Sequence, residues 1–317
     1  MRQFFLIVFG GLFAILLGVS ISYAGSLVWK LVAPHTGQIS SLAAAAMSQA
    51  TDGTAVSGLT RMVSFDPDAA IDLIKAASLS LPAGADGRVT AGAYLVEDLD
   101  TGLITATYNA DKILPIASIS KLVTAEVARR LIPDETRITI TQTPLNTYGD
   151  TARLRVGETF TAHDLLYPLF MVSSNDVAEV YADYYGRAKF IKAMNQFTQS
   201  IGAYRTYFAD PSGLSPENVS SASDLALILN WIRKNDPEML AITQVKAKTV
   251  RNHIWVNPTA FLNWSNYLGG KNGYTDEADR TAATLFSLGT PKNTYAVIVL
   301  GSDSRNPDVV QLLAKVK

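Results

Sequence analysis

Pro115-Ile116-Ala117-Ser118-Ile119-Ser120-Lys121 leads into Leu122, Val123, Ala125, Val127 and Ala128, apolar on several sides, which predicts a core helix beginning at Ser118. Before it, residues 91–97 and 103–108 are β-rich runs joined by Asp98-Leu99-Asp100-Thr101-Gly102, a hairpin signature. After it, further helices are predicted over about 162–185, 188–201 and 222–234. Residues 281–288 and 294–300 read as strands, and Val309, Leu312, Leu313 and Val316 fall at the i, i+3, i+4, i+7 positions of a closing helix. Strands first, helices in the middle and strands last predict an α+β fold, an antiparallel sheet flanked by helices in which the two ends meet. A doubly wound parallel sheet does not fit this order.

Ser118 and Lys121 stand three residues apart, so on a helix they share a face one turn apart. A serine needs a neighbouring base to become a nucleophile, and a lysine serves if burial lowers its pKa from about 10.4 towards neutrality. The spacing alone is weak, since a chain of this length shows such a pair by accident. Order and distance add weight: Ser173-Ser174-Asn175 follows about fifty residues on, and Lys271-Asn272-Gly273 about a hundred beyond that.

With these three elements the chain resembles the serine D-alanyl-D-alanine carboxypeptidases, the low-molecular-weight penicillin-binding proteins, whose signatures are SxxK, SxN and KTG in this order. The flanks resemble the family too: Pro115-Ile116-Ala117-Ser118, His163-Asp164-Leu165-Leu166-Tyr167, Phe208-Ala209-Asp210-Pro211-Ser212-Gly213-Leu214 and Gly270-Lys271-Asn272-Gly273-Tyr274-Thr275. The resemblance covers about residues 88–317 and implies a serine β-lactamase/transpeptidase-like fold. It also implies acyl transfer, with Ser118 attacking a terminal D-Ala-D-Ala carbonyl and Lys121 as general base. Ser173 would relay a proton to the leaving amine, Asn175 would hold Lys121 and the substrate amide, and Lys271 would keep the site positive. The backbone N–H groups of Ser118 and Tyr274 would form the oxyanion hole, beside Gly273. Arg305, by its position after the last strand, would face the substrate carboxylate. The implied partners are peptidoglycan stem peptides, with β-lactams as covalent inhibitors at the same serine. No cofactor or metal is implied.

Asn272 departs from the family pattern, which has Thr or Ser between the Lys and the Gly. Its amide still donates a hydrogen bond but is longer than a hydroxyl, so carboxylate binding is kept, weakened or retuned. Two alternatives follow: a D,D-endopeptidase acting on crosslinks with the same catalytic groups, or a catalytically weak homologue that binds wall peptides. A class A β-lactamase needs a placed carboxylate for deacylation, and Pro216-Glu217-Asn218 does not read like its acidic loop.

Composition narrows the rest. With 48% apolar residues the chain of 317 can bury a sizeable core, which excludes disorder as its dominant state. Lys and Arg number 27 against 28 Asp and Glu, a net charge of −1 that gives no general reason to bind nucleic acid. The absence of Cys removes thiolate chemistry, and His35, His163 and His253 lie too far apart for a metal-ligand spacing, as expected of surface or capping histidines. From Phe4 to Ala24 run 21 uncharged residues, and about 20 span a bilayer. Residues 1–33 are therefore predicted to be a transmembrane anchor with the body outside the cytoplasm; the alternative is a signal peptide cleaved near Ala24 and a secreted body. Residues 34–87 are predicted to be a stalk with a short helix after Asp66-Pro67, and 88–317 the catalytic domain.

Overall fold

The computed structural model describes residues 88–149 and 151–316. The predicted membrane span, stalk and short helix lie outside the described residues, among which no helix is long and apolar enough to cross a membrane.

Five antiparallel strands form the main sheet: β1 (Ala93–Asp98), β2 (Ile104–Tyr108), β9 (Tyr267–Thr275), β10 (Asp279–Leu288) and β11 (Asn293–Ser302), in the order β2-β1-β11-β10-β9. The ends of the domain meet where β1 pairs with β11, from Ala93 opposite Leu300 to Asp98 opposite Tyr295. Alternation sends successive side chains to opposite faces. Ala283, Leu285, Ala296, Ile298 and Leu300 thus join the helical core, while Ala282, Phe286, Val297 and Val299 pack under the closing helix. Both faces are covered, which is why β10 and β11 read as continuous apolar runs.

Between β2 and β9 lie two-stranded pairs, β3 (Leu114–Pro115) with β6 (Val219–Ser220), β4 (Arg137–Thr139) with β5 (Thr159–Thr161) and β7 (Ala247–Val250) with β8 (His253–Val256), and a helical layer. The helices are α1 (Lys121–Leu131), α2 (Gln142–Leu145), α3 (Ala162–Met171), α4 (Asn175–Tyr185), α5 (Arg187–Ser200), α6 (Ala222–Asn235) and α7 (Pro237–Thr243); α8 (Arg305–Leu313) closes the chain. α1 is the buried helix expected from its apolar residues, and it packs against α3, α4 and α5.

Two boundaries differ from the sequence expectation. Ser118 lies in a tight 3₁₀ turn, Ala117–Ser120, and the α-helix begins at Lys121. The predicted helix over 162–185 is two helices, because Ser173 takes a left-handed φ of 56° and Ser174 starts a new one, its Oγ accepting from Val177 N at 3.2 Å. Apolar periodicity continues through both pieces and so does not register the break.

Candidate active site

The 3₁₀ turn places Ser118 one turn before Lys121, and Lys121 Nζ donates to Ser118 Oγ at 2.9 Å, Asn175 Oδ1 at 2.7 Å and the Ser212 carbonyl at 2.5 Å. Lys121 is wholly buried. Desolvation lowers its pKa to about 7, against the opposing pull of the Asp210 and Asp176 carboxylates. A neutral amine has two N–H donors and one lone pair. Three contacts therefore suit the neutral form as well as the charged one: Nζ donates to Asn175 and Ser212 and accepts the Ser118 hydroxyl proton. That is the geometry of a serine and its base.

Asn175 is fixed from its other side, its Nδ2 donating to the Tyr148 carbonyl at 2.8 Å. Ser173, half-buried in the bend before α4, stands two residues from it. Among the described residues the partners of Lys121 Nζ are Ser118, Asn175 and Ser212, so Ser173 lies beside the pair without bonding the amine.

The third motif lies on β9, an edge strand of the sheet. Gly273 faces Ser118 so closely that a Cβ there would sit 2.7 Å from Ser118 N and 2.8 Å from Thr281 Oγ1. Only a residue without a side chain lets β9 come this near. The N–H groups that open a helix lack intrahelical acceptors, which leaves the Ser118 N–H available beside the strand that carries Tyr274. The Tyr274 side chain points outward, its hydroxyl donating to Asp276 at 2.9 Å. Lys271, on the same face as Gly273, is buried and donates to the Asn272 carbonyl at 2.7 Å. Burial, then the Lys121 and Arg305 cations, hold its pKa well below the usual lysine range. Asn272 alternates to the other face, opposite Ala282, and lines a recess with Phe261, Arg305 and Asn306. Arg305, after the last strand, is the first residue of α8, and its Nη1 donates to the Gly273 carbonyl at 3.1 Å. Ser118, Lys121, Asn175 and Gly273 thus come together between the helical layer and β9, whereas Asn272 shares the recess on the other face with Arg305, and the Tyr274 side chain points away from Ser118. Neither His163, against Glu238, nor His253, against Glu158, belongs to it.

The model of peptidase family S11, D-alanyl-D-alanine carboxypeptidase, matches residues 79–303. The chain belongs to this family. It is 32% identical to the D-alanyl-D-alanine endopeptidase of Pseudomonas aeruginosa over 71% of this chain and 76% of that one. It is 36% identical to the Escherichia coli enzyme of the same name over 53% of this chain and 54% of that relative's length, so the match spans about half of it. Among solved structures, penicillin-binding protein D2 from Listeria monocytogenes in its ampicillin-bound form superposes with a TM-score of 0.65 at 26% identity, covering 72% of this chain and 97% of that one. The fold is therefore the α+β penicillin-binding, transpeptidase-like one, and the family is one of serine hydrolases.

Sequence reasoning missed the support under this S11 site. Asp210 accepts from Ser212 N, Ser212 Oγ, Gly213 N and Ser215 N, at 2.6 to 2.8 Å, and so shapes the loop that offers the Ser212 carbonyl to Lys121. Gly213, at φ 85°, lies where a Cβ would fall 2.0 Å from the Ala117 carbonyl. Asn218 joins the two pieces: Oδ1 accepts from Ala209 N and Asp210 N, and Nδ2 donates to Ser120 Oγ at 3.0 Å and the Asp210 carbonyl at 2.8 Å. The stretch 208–214 drew notice as family-like, yet nothing in it announces that Asn218 spends three of its four side-chain hydrogen bonds on it and the fourth on Ser120. Glu217 beside it is exposed. Asn218→Ala orphans these buried groups and is expected to cost about 3 kcal/mol of stability. A lowered thermal midpoint together with slower acylation by penicillin checks this; a wild-type melting curve would show that the network does not hold the loop.

Proposed function

We propose that the protein is a serine D,D-peptidase that trims the terminal D-alanine from peptidoglycan stem peptides. The observation that carries this reading is the buried Lys121 amine, poised near neutrality and in contact with Ser118 Oγ. Ser118 Oγ attacks the penultimate D-Ala carbonyl while its proton passes to Lys121 Nζ. The oxyanion is held by backbone N–H groups at Ser118 and Tyr274. The C–N bond then breaks, the leaving amine takes a proton through Ser173, and an acyl-enzyme on Ser118 remains. Water attacks the ester, returns its proton through the same base and releases the shortened stem. An arriving substrate carboxylate near Arg305 favours the proton on Lys271, whose charge burial and neighbouring cations otherwise disfavour. Free D-alanine released from a peptide ending in D-Ala-D-Ala, and slowly decaying penicillin label on the same protein, test the assignment. Fast penicillin turnover would replace it with a β-lactamase, and no label on folded protein with a wall-binding homologue.

A second reading, endopeptidase action on D,D crosslinks, is favoured by the two relatives described above, both named endopeptidases. Asn272 bears on the choice, because the recess it shares with Arg305 is where a terminal carboxylate would dock. Asn272→Thr is expected to raise kcat/KM for a short D-Ala-D-Ala peptide about tenfold, chiefly through KM, and to leave the C-terminally amidated peptide unaffected. Equal effects on both peptides would detach Asn272 from carboxylate binding. The uncharged run from Phe4 to Ala24 supports a tether that holds the catalytic body outside the cytoplasm, or, if cleaved near Ala24, a secreted enzyme.

A further inference from the structure

A groove of about 540 Å³ runs between the segment 151–158 and the β7–β8 hairpin, and Val172, the residue before Ser173, also lines it. Its walls are locked together: Trp255 Nε1 donates to the Ala152 carbonyl at 3.1 Å, and His253 Nε2 lies 3.1 Å from both carboxylate oxygens of Glu158. With Trp255 and His253 turned inward, alternation along β8 leaves Ile254 and Val256 facing out, 71% and 63% exposed. Arg153 and Arg155 line the same groove, and a second hollow bounded by Arg155, Gly157 and Arg251 continues it. All three arginines are exposed, and among the described residues none of their guanidinium groups lies within ion-pair distance of a carboxylate; Glu158 is held by His253 and the Arg155 backbone N–H and feels the Arg155 charge only from farther away. Three guanidinium groups beside two bare aliphatic side chains form a surface for an extended peptide bearing carboxylates.

We propose that this groove binds the second stem peptide of a crosslinked substrate, the arginines taking its carboxylates. The inference rests on the D,D-peptidase reading. In a crosslink the leaving amine belongs to another peptide rather than to a single D-alanine. That peptide must continue away from Ser173, where the amine gains its proton, and Val172, one residue from there, lines the groove. A single stem ends in the catalytic cleft and does not reach it.

The test uses the full chain carrying R153E, R155E or both, with thermal midpoints to verify folding, and two probes: a single stem ending in D-Ala-D-Ala and a D,D-crosslinked stem dimer. Charge reversal is expected to lower kcat/KM for the dimer about tenfold or more, mainly through KM, with less than about twofold change for the single stem. Raising the salt concentration should weaken the wild type on the dimer alone. Equal losses on both probes, no loss on either, or a dimer with amidated carboxylates cut as well as the native one would overturn the proposal. Should the wild type cleave neither probe, the peptidase reading fails by itself. Calorimetric binding of the dimer to the Ser118→Ala protein then decides the groove: weaker binding on adding R155E supports it, and unchanged or absent binding overturns it.

Discussion

Ser118→Ala is expected to abolish covalent labelling by penicillin and to lower release of D-alanine by about 10⁴-fold or more, since among the described residues Ser118 supplies the one hydroxyl bonded to Lys121 Nζ. The geometry makes this loss specific to chemistry. Ser118 is half-buried at the mouth of the cleft, and its Oγ serves as one of three partners of Lys121 Nζ, the other two being supplied by Asn175 and Ser212. Removing one hydroxyl leaves the amine two acceptors and creates no sizeable cavity, so the thermal midpoint should stay near that of the wild type. Intact mass after incubation with a penicillin reads the result directly. An adduct of the same mass on the Ser118→Ala protein would place the nucleophile elsewhere and undo the assignment of all three motifs together.

The second large effect is expected at Lys121. Lys121→Met removes the base and should slow acylation about 10³-fold, and Lys121→Arg should do no better, because a guanidinium stays protonated at every accessible pH. In the wild type the reactive form is the neutral amine, which forms as pH rises through about 7. The acylation rate should therefore climb about tenfold per pH unit below that point and level above it, and the climb should vanish in the Met variant. The same shift acts on stability. The unfolded chain holds the Lys121 proton up to a pKa of about 10.4, whereas the fold loses it near 7, so between these values the unfolded state binds more protons and stability rises with pH. Below pH 7 the cost of burying the charge is fully present. The Met variant should accordingly gain stability relative to the wild type in acid, by a few kcal/mol less what the lost hydrogen bonds cost, with the gain shrinking towards about pH 10. Denaturant unfolding of both proteins across this range measures it. A stability difference independent of pH, or an acylation rate flat through neutrality, would mean that Lys121 is not the group that titrates.

Much of the site could be read from the chain because each motif is local. Ser118 and Lys121 are one turn apart, so any helical conformation brings them together, and the 3₁₀ start changes their geometry without separating them. Asn175 and Lys271 were legible only through the order of motifs, since nothing in a stretch such as Lys271-Asn272-Gly273 says which strand edge it will occupy. The break at Ser173 was not legible. Its left-handed backbone is set by the need to turn α4 against α1, and apolar periodicity continues across it. Asn218 escaped for a related reason: a buried amide looks like any loop asparagine until the groups that use its four hydrogen bonds, on Ala209, Asp210 and Ser120, are seen around it.

The sequence by itself determined the α+β order of elements, the buried helix behind Ser118 and the pairing of Ser118 with Lys121, because propensity, periodicity and one-turn spacing act over a few residues. Tertiary structure alone decided that Lys121 is desolvated, that Gly213 and Gly273 let two distant backbones close on the serine, that Asn272 turns towards Arg305, and that Arg153 and Arg155 line a groove with Val172. Burial, close approach and the field of neighbouring charges are properties of segments up to a hundred residues apart or more, and they exist only once the sheet edge and the helical layer have met.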